Sequence, residues 1–405
     1  MRRVLIMICL LGVFLSACES NVIDIKEWDN EMIPYEDKIG FNSRGLIELK
    51  LDSTTVLKNA TFQYDEKTGS IISFNAYDRS FLIFDAGTSQ IKKKIKCALS
   101  GPNGIGSLRA NESSFYFLNY DSLFFYNDYT GLLFLLDSSG AVKGNFSLKP
   151  VNGSFNQPTT VFGQPMLYAD HKVFLSCNPG NRNFYSSKSP LKENLVSCMD
   201  IATRKITLHL KYPQIYSQAI WGEFFHKFYS AYNPDTKAFI YSFPVDHHLY
   251  VYNSDGSVTK VDAPSRFIKH VNPLFQRTGT WQSDLKGRNA EAKNYTSQHK
   301  YLRIIYDPYN KLYYRIVSNA TPETGFSSVM NSNFKVPPFS IIILDSSFHL
   351  AGEKQFDGNI YFPDNIFITK QGMCLRKTDK NEDHIVFEIF SLENKAEKTA
   401  KIAVP

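Results

Sequence analysis

The densest group of chemically versatile side chains lies between Pro264 and Lys300. This segment carries seven cations against two carboxylates, a net charge of +5, and it contains Trp281. Trp221, Glu223 and His226 lie in the preceding long loop, residues 211–227. Aromatic rings stack on sugar faces, and guanidinium forks bind carboxylates or phosphates. The sequence therefore predicts a site for an anionic or glycan-like ligand.

The candidate ligand-binding residues share these two loops, and they are Trp221, Glu223, His226, Arg266, Arg277, Trp281, Lys286 and Arg288. The alternative is a solvated basic loop with tryptophan packed beneath it, because charges on loops usually face water without binding a ligand.

Signals for catalysis are few. The sequence has no H-E-x-x-H, G-x-S-x-G or EF-hand motif. Glu223 and His226 are close enough along the chain for an acid/base pair, but such a pair needs a hydrogen-bond geometry that spacing does not establish. His247 and His248 are adjacent, and adjacent side chains on a strand point apart. We therefore predict no metal site and no cofactor.

The alternative function is a propeller-type glycoside hydrolase or polysaccharide lyase. A glycosidase needs two carboxylates about 5–10 Å apart. The main candidates on these loops are Glu223, Asp246, Asp284 and Glu291. The loops are otherwise poor in acids, which favours a binding protein over an enzyme.

The N-terminus has the features of a bacterial lipoprotein signal. Two arginines precede an apolar run from Val4 to Leu15. This run is shorter than the roughly 20 apolar residues of a spanning helix. Leu15-Ser16-Ala17-Cys18 resembles a lipobox, in which the cysteine becomes the first residue and is lipidated. The sequence predicts a signal peptide at 1–17, a lipid on Cys18 and a tether at 18–42.

These features predict a location in the cell envelope, anchored by lipid and most simply at the outer membrane. Loss of residues 1–17 lowers the net charge from +6 to +4, because two arginines and no acids leave. A mild charge on an exported protein makes nucleic acid an unsuitable partner. We expect a monomer that contacts the membrane through its lipid and binds an anionic glycan or an envelope protein.

Four cysteines remain outside the signal peptide and Cys18, and no C-x-x-C motif occurs. Cys177 and Cys198 flank one predicted hairpin loop, so they can form a disulfide in an oxidising compartment. Buried free thiols are the alternative.

A meander of four short strands between Phe228 and Asp262 organises the chain. Apolar and aromatic runs alternate there with turn signals at 233–235, 244–246 and 253–256. Similar units cover Ala60 to Cys97, Ser114 to Leu148, Val161 to Leu210, Tyr301 to Phe356 and Asn365 to Val404. Recurrence of such a unit is typical of propeller blades.

The sequence therefore predicts an all-β fold, a six-bladed β-propeller formed by one domain at 43–405. Seven blades and a β-sandwich are the alternatives. Leu46 to Leu51 precedes the first unit as a lone strand, which we expect to join the last blade and close the ring. Only Gln282 to Lys300 has a helix-like pattern.

Strand direction assigns the loops to two faces. In a four-stranded antiparallel blade, the first and third turns share one face, and the second loop and the inter-blade link share the other. The long insertions, at 178–194, 211–227, 264–300 and 321–338, all belong to the second set. Long loops on a rigid scaffold usually carry function, so we expect the ligand on this face.

Four motifs carry a family resemblance: the lipobox, Gly101-Pro102-Asn103-Gly104, Tyr232-Asn233-Pro234 and Tyr306-Asp307-Pro308. Together they resemble an uncharacterised Bacteroidota lipoprotein family related to TolB-like six-bladed propellers, over residues 43–405. The resemblance implies the fold and an extracytoplasmic location. Its motifs are turns, so it implies no catalytic residue.

Overall fold

The computed structural model describes residues 25–30, 36–57, 60–108, 113–148, 158–160, 166–177, 184–188, 194–281, 285–322, 336–379, 381 and 383–395. The predicted signal peptide, Cys18, Asp284 and parts of the loops at 178–194 and 321–338 lie outside these residues. So do residues 396–405, where we expected the last blade to end.

The described residues form six antiparallel sheets of four strands each. The chain begins with β1 (Ile39–Lys50). Blade one contains β2 (Phe62–Asp65), β3 (Ser70–Asn75), β4 (Ser80–Asp85) and β5 (Ile91–Lys96). Blade two contains β6 (Ser113–Asn119), β7 (Ser122–Asn127), β8 (Leu132–Leu136) and β9 (Val142–Ser147). Blade three contains β10 (Leu167–Ala169), β11 (Lys172–Ser176), β12 (Val196–Asp200) and β13 (Ile206–His209).

The second half of the chain continues the repeat. Blade four contains β14 (Tyr229–Asn233), β15 (Ala238–Ser242), β16 (His248–Tyr252) and β17 (Val258–Asp262). Blade five contains β18 (Lys300–Asp307), β19 (Leu312–Ser318), β20 (Phe339–Leu344) and β21 (Leu350–Phe356). Blade six contains β22 (Tyr361–Thr369), β23 (Gly372–Lys377) and β24 (His384–Asn394), with β1 as its fourth strand. The predicted six-bladed propeller is confirmed.

The first strands of the blades surround the central axis. β14 contacts β10 and β18, and β2 contacts β6 and β22. Each blade then extends outward from its first strand to its fourth in sequence order, except that β1 completes blade six.

The N-terminal strand closes the ring. β1 pairs antiparallel with β24, from Ile39 opposite Asn394 to Lys50 opposite His384. The pairing is longer than the predicted Leu46–Leu51 and places Leu49 in the core with none of its surface exposed. This closure confirms the expected role of the strand, and it covers the edge of β24 that would otherwise lie open.

Short polar side chains form the turns on one face, which we call the turn face. Carboxylate or amide oxygens accept hydrogen bonds from backbone N–H groups two to four residues later, as such side chains do in tight turns. The accepting residues after first strands are Asp65, Asn233 and Asp307, and those after third strands are Asp85, Asp137, Asp200 and Asp345. We call the opposite face the long-loop face.

Two short helices and one longer helix lie on the links of the long-loop face. Helix α1 (Ile215–Gln218) and a 3₁₀ helix at Phe224–His226 lie between blades three and four. Helix α2 (Leu285–Thr296) lies between blades four and five and confirms the helix-like pattern in the sequence. A further 3₁₀ helix, Ile25–Trp28, precedes β1.

Aromatic side chains fill most of the space between blades. Phe74 of blade one lies 4.7 Å from Phe125 of blade two, and Phe41 of β1 lies 5.5 Å from Tyr314 of blade five, measured between ring centroids. Buried aromatic pairs of this kind add to the free energy gained by removing their area from water.

The junction between blades four and five is filled by a charged side chain. Arg315 of β19 is fully buried, and its guanidinium lies 3.6 Å from the ring of Tyr301. It donates hydrogen bonds to the Ser242 hydroxyl and to the backbone carbonyls of Asp246, His247, His248 and Ala263. An arginine has five N–H donors, and all the acceptors that these donors reach here are buried or partly buried groups of blade four and its following link.

The structure has the second of the two alternatives for Cys177 and Cys198. Cys177 and Cys198 are free, buried thiols. Phe174 of β11 lies opposite Cys198, whereas the backbone N–H of Cys177 bonds to Leu195. The two cysteines are therefore offset by three residues along the hairpin, or about 10 Å, whereas a disulfide needs Cα atoms within about 7 Å. Burial raises the pKa of the Cys177 thiol to about 12.

Candidate functional site

The basic link at 264–300 is a folded cap over the long-loop face. Glu291 of α2 accepts hydrogen bonds from the Phe224 backbone N–H at 2.9 Å and from the Tyr185 hydroxyl at 2.7 Å. Burial raises the pKa of this carboxyl. The ring of Tyr295 packs 5.2 Å from that of Phe225. Glu291 therefore holds the link to the neighbouring loop and is occupied structurally.

The two candidate tryptophans have structural positions. Trp221 is fully buried, its indole N–H donates to the Ile215 carbonyl at 3.0 Å, and its ring packs 5.5 Å from Trp28. This corrects the expectation that Trp221 presents a stacking surface to a ligand. Trp281 is half-buried and packs 5.0 Å from Phe275 and against Gly287, whose Cα lies beneath the indole.

Several cations of the link are neutralised within the chain. Arg266 forms ion pairs with Asp37 and Glu353. Lys269 lies 3.0 Å from the carboxylate of Asp29. The net charge of +5 therefore overstates the positive surface, because residues far away in sequence supply acids to it.

Lys300 is also removed from that surface. It is buried and donates to the Tyr295 carbonyl at 3.0 Å. Burial lowers the pKa of its ammonium group to about 7. The exposed candidates that remain on the link are Arg277, whose guanidinium lies 5.5 Å from the Phe275 ring, Lys286 and Arg288.

Glu223 and His226 do not form the acid/base pair considered above. Glu223 is exposed, whereas His226 is buried and its Nδ1 lies 2.5 Å from the Gly222 carbonyl oxygen. Burial lowers the pKa of His226 to about 4. The imidazole packs against the rings of Tyr212 and Tyr216, so it belongs to the core.

A different group of polar side chains converges at the axis, and sequence reasoning missed it. We call Lys227, Tyr229, Tyr295, Arg303 and Asp364 the axial cluster. Tyr229, Arg303 and Asp364 belong to the first strands of blades four, five and six, near the ends that begin on the long-loop face. Lys227 precedes β14, and Tyr295 reaches the cluster from α2.

The electrostatics of the axial cluster couple its members. Arg303 donates to the Asp364 backbone carbonyl at 2.6 Å, which holds the guanidinium beside that residue. Burial raises the pKa of the Asp364 carboxyl, while the charges of Arg303 and Lys227 oppose the rise. Burial also raises the pKa of the Tyr229 and Tyr295 hydroxyls, and the Asp364 charge adds to both shifts.

The functional groups of the cluster are available to a ligand. The Asp364 carboxylate, the Lys227 ammonium group and the hydroxyls of Tyr229 and Tyr295 have no hydrogen bond or ion pair to any residue that the structure describes. Asp364 is half-buried and Lys227 is exposed, so solvent reaches the group. Buried polar groups in proteins normally have partners, so a cluster of polar side chains that lacks them is a candidate binding site.

One signal in the sequence points to this cluster. Arg303 interrupts the apolar and aromatic run from Tyr301 to Tyr306 in one first strand, and Asp364 follows Pro363 near the beginning of another. Charged residues at such positions are seldom buried without a function or a partner. Nothing local reveals that they meet, because 61 residues separate them.

Asp246, another carboxylate considered for catalysis, also has a structural role. Asp246 is buried and accepts hydrogen bonds from His248 Nδ1 and from the Tyr250 hydroxyl, each at 2.6 Å. Within the described ranges, no group of three or more His, Cys, Asp or Glu side chains could hold a metal ion. No helix among the described residues is long and apolar enough to cross a bilayer.

Comparisons with known proteins agree with this fold. The model of the family DUF4221, a domain of unknown function, matches residues 39–355. The crystal structure of a DUF4221 member from Bacteroides vulgatus ATCC 8482 is 19% identical, with a TM-score of 0.74, and the match covers 89% of this chain and 100% of that one. These findings confirm the family resemblance noted from the turn motifs.

A second solved structure is a putative exported protein from Bacteroides fragilis NCTC 9343. It is 8% identical with a TM-score of 0.51, and the match covers 88% of this chain and 96% of that one. At such identities the likeness establishes the fold alone. No curated protein matches the chain.

Proposed function

The chain belongs to the DUF4221 family, and from that premise we propose that it is an exported, lipid-anchored binding protein that holds an acidic sugar unit of a cell-envelope glycan at the axial cluster. The observation that carries this proposal is the convergence of five polar side chains at the long-loop end of the axis, most of them without a partner in the described chain.

The chemistry of the cluster favours a sugar that carries an acid. Arg303 and Lys227 supply positive charge for a carboxylate or phosphate, and charged hydrogen bonds are stronger than neutral ones. Asp364 accepts hydrogen bonds from sugar hydroxyls, and Tyr229 and Tyr295 can both donate and accept. A purely apolar ligand would leave these groups desolvated and unpaired, which costs free energy.

The N-terminal segment supports export and anchoring. A basic start, an apolar run too short to span a bilayer and Cys18 in a lipobox form one coherent signal. The name of the Bacteroides fragilis neighbour as an exported protein is consistent with it. Lipidation of Cys18 would place the propeller at a membrane surface, where envelope glycans are abundant. We place it at the outer membrane.

The anchor has its own test. Cys18→Ala should abolish labelling of the protein by a fatty-acid analogue and release it from the membrane fraction. Cys97→Ala, a buried core thiol, serves as the matched control and should leave labelling unchanged. Normal acylation of the Cys18→Ala variant would exclude Cys18 as the lipid site.

The binding proposal is tested by titration with glucuronate oligosaccharides and their uncharged glucose counterparts. We expect the acidic series to bind at least about tenfold more tightly. Lys227→Met and Asp364→Asn should each weaken binding about tenfold. Tyr295→Phe removes one hydroxyl and should have a smaller effect.

Lys286→Met is the matched control, because Lys286 is an exposed cation on the same face but outside the cluster. Equal loss of affinity in Lys286→Met and Lys227→Met would assign the ligand to the basic link instead. Arg277→Glu combined with Arg288→Glu tests that link directly. If the acidic and neutral sugars bind alike to all variants, the axial cluster is not an acidic-sugar site.

No specific observation favours the enzymatic alternative. It requires a second carboxylate close to Asp364, and Asp246 and Glu291 are occupied by structural hydrogen bonds.

A further inference from the structure

A second cavity lies on the turn face, at the junction between blades three and four. Its volume is about 390 Å³, within the usual size range of small-molecule sites. Its walls come from both blades, from Ala169 to Phe174 on one side and from Tyr232 to Phe239 on the other, and the turn at 253–256 forms part of its rim. This site is on the opposite face from the axial cluster.

The first hairpin of blade three borders the cavity. β10 contains three residues, and the hairpin between β10 and β11 turns through Asp170 and His171, both in the left-handed region with φ of 47° and 60°. A two-residue turn of this kind is typical of tight hairpins, and here Asp170 and the Lys172 that follows the turn both line the cavity.

Aromatic rings form the walls and the floor. Phe174 lies 4.3 Å from Phe239, and Tyr232 lies 4.8 Å from Phe239, both between ring centroids. A separate, smaller cavity of about 20 Å³, which is room for one water molecule, shares Phe174, Phe239 and Tyr241 with the larger one.

Two lysines give the cavity a positive rim. Lys172 is half-buried and Lys237 is exposed, and neither ammonium group donates a hydrogen bond or forms an ion pair within the part of the chain that the structure describes. Asp170 in the lining is exposed, and Asp200 lies opposite Lys172 on β12, where hydrogen bonds from Thr203 and the Lys172 charge lower the pKa of its carboxyl. Lys172 therefore has an acidic neighbour but no direct ion pair, and a ligand anion at the rim can provide one.

His209 also lines the cavity, and both nitrogens of its ring have hydrogen-bond partners within the chain. Its Nε2 lies 2.8 Å from the Thr207 hydroxyl, and its Nδ1 lies 3.4 Å from the Tyr252 hydroxyl. Burial and the charge of Lys172 lower the pKa of this imidazole. His209 therefore positions Tyr252 at the rim, and the positive charge of the cavity comes from the lysines.

We propose that this cavity is a second binding site, specific for a small planar ring compound that carries one carboxylate. The ring would lie among Phe174, Tyr232 and Phe239, where stacked and edge contacts are both available. The carboxylate would lie between Lys172 and Lys237 at the rim. The proposal is independent of the axial site, because it uses a different face and different side chains.

The probes are 4-hydroxyphenylacetate, its uncharged amide, and acetate, titrated at pH 7 into the purified mature chain. Ligand-observed NMR measures affinity, and a soaked crystal locates the probe. We expect 4-hydroxyphenylacetate to bind at least about tenfold more tightly than either the amide or acetate, because only it has both the ring and the charge.

The combined variant Lys172→Met and Lys237→Met should bind the carboxylate no better than the amide. Lys205→Met is the matched control, since Lys205 is an exposed lysine at the last turn of blade three and does not line the cavity. It should bind like the unaltered protein. Asp364→Asn should also be unaffected, so loss of the axial site and loss of this one are distinguishable.

Three results would overturn the proposal. One is equal affinity for the carboxylate and the amide, and another is full carboxylate affinity in the double lysine variant. The third is no detectable binding of 4-hydroxyphenylacetate up to about 10 mM. Thermal melting of each variant confirms that the fold is retained, and the lysines are surface or rim residues whose replacement should not disturb it.

Discussion

Two junctions between neighbouring blades differ in what fills them. Between blades four and five, Arg315 lies fully buried on the Tyr301 ring and donates to four backbone carbonyls and one hydroxyl. Between blades three and four, a cavity of about 390 Å³ opens to solvent, and the Lys172 ammonium group on its wall forms no hydrogen bond or ion pair within the described chain. Both junctions arise from the same repeated sheet.

The difference shows that the repeat does not determine the contents of the space between blades. Blades diverge outward from the axis, so each junction is a wedge that some side chain or solvent must occupy. Arg315, a buried cation with every N–H donor paired, fills one such space and stabilises the junction through its hydrogen bonds. A junction that is not filled loses packing contacts, but its open volume can hold a ligand.

The strongest test opens a third junction, between blades six and one. Deletion of residues 43–52 removes most of β1 and exposes the edge of β24. We expect the free energy of unfolding to fall by at least about 4 kcal/mol, since loss of one buried Leu or Ile alone costs about 2–5 kcal/mol. Urea denaturation measures the change.

Leu46→Ala is the control for that deletion, because Leu46 is on the same strand but 51% exposed. It should change stability by less than about 0.5 kcal/mol. An unchanged urea midpoint after the deletion would show that another segment closes the ring.

The next test removes the filling of the blade four–five junction. Arg315→Met keeps the approximate length of the side chain but removes its five hydrogen bonds to four carbonyls and one hydroxyl, and we expect a loss of about 3–5 kcal/mol. Lys172→Met at the open junction is the matched control and should shift stability by no more than about 0.5 kcal/mol. Similar effects of the two substitutions in urea denaturation would refute the contrast between the junctions.

A smaller effect should appear in the pH dependence of stability. His247 lies at the filled junction, and burial followed by the charge of Arg315 lowers its pKa to about 4. Its Nδ1 accepts from the Tyr301 hydroxyl at 2.7 Å, because that hydroxyl already accepts from the Ser265 backbone N–H. Protonation of Nδ1 would place two donors face to face.

The lowered pKa of His247 determines the direction in which stability changes with pH. The unfolded state binds the proton near pH 6.5 and the folded state only near pH 4, so stability should fall as pH falls between these values. A shift of this size is worth up to about 3 kcal/mol. His247→Gln should remove part of that slope in urea midpoints measured from pH 7 to pH 4. His209→Gln should remove less, because His209 lines the open cavity. A larger change for His209→Gln would contradict the assignment.

The sequence alone was sufficient for the blades and their turns. The turn at Asp65 to Thr68 is closed by a hydrogen bond between residues three apart, and Asp307 with Tyr309 is equally local. Short apolar and aromatic runs between such turns predict strands and their order along the chain. The same pattern favoured six blades and a closing N-terminal strand but left seven blades open, because ring closure pairs residues from opposite ends of the chain.

The contents of the site were decided by tertiary structure. Trp221 and His226 were expected to face a ligand and are core residues, because Trp28 and Tyr216 cover them. Arg266 was counted as surface charge and is paired with Asp37, which lies 229 residues earlier. Sequence spacing contains no information about which acid reaches which base across the ring.

The axial cluster and the turn-face cavity also depend on contacts between residues that are far apart in the sequence. Arg303 meets Asp364 because the first strands of blades five and six both line the axis. Lys172 and Lys237 line one cavity because blades three and four are neighbours in the ring. Local hydrogen bonds within four residues are encoded in the chain, whereas proximity across blades depends on where the closed ring places each strand. For this reason the sequence by itself determined the scaffold, and only the folded ring determined the two sites.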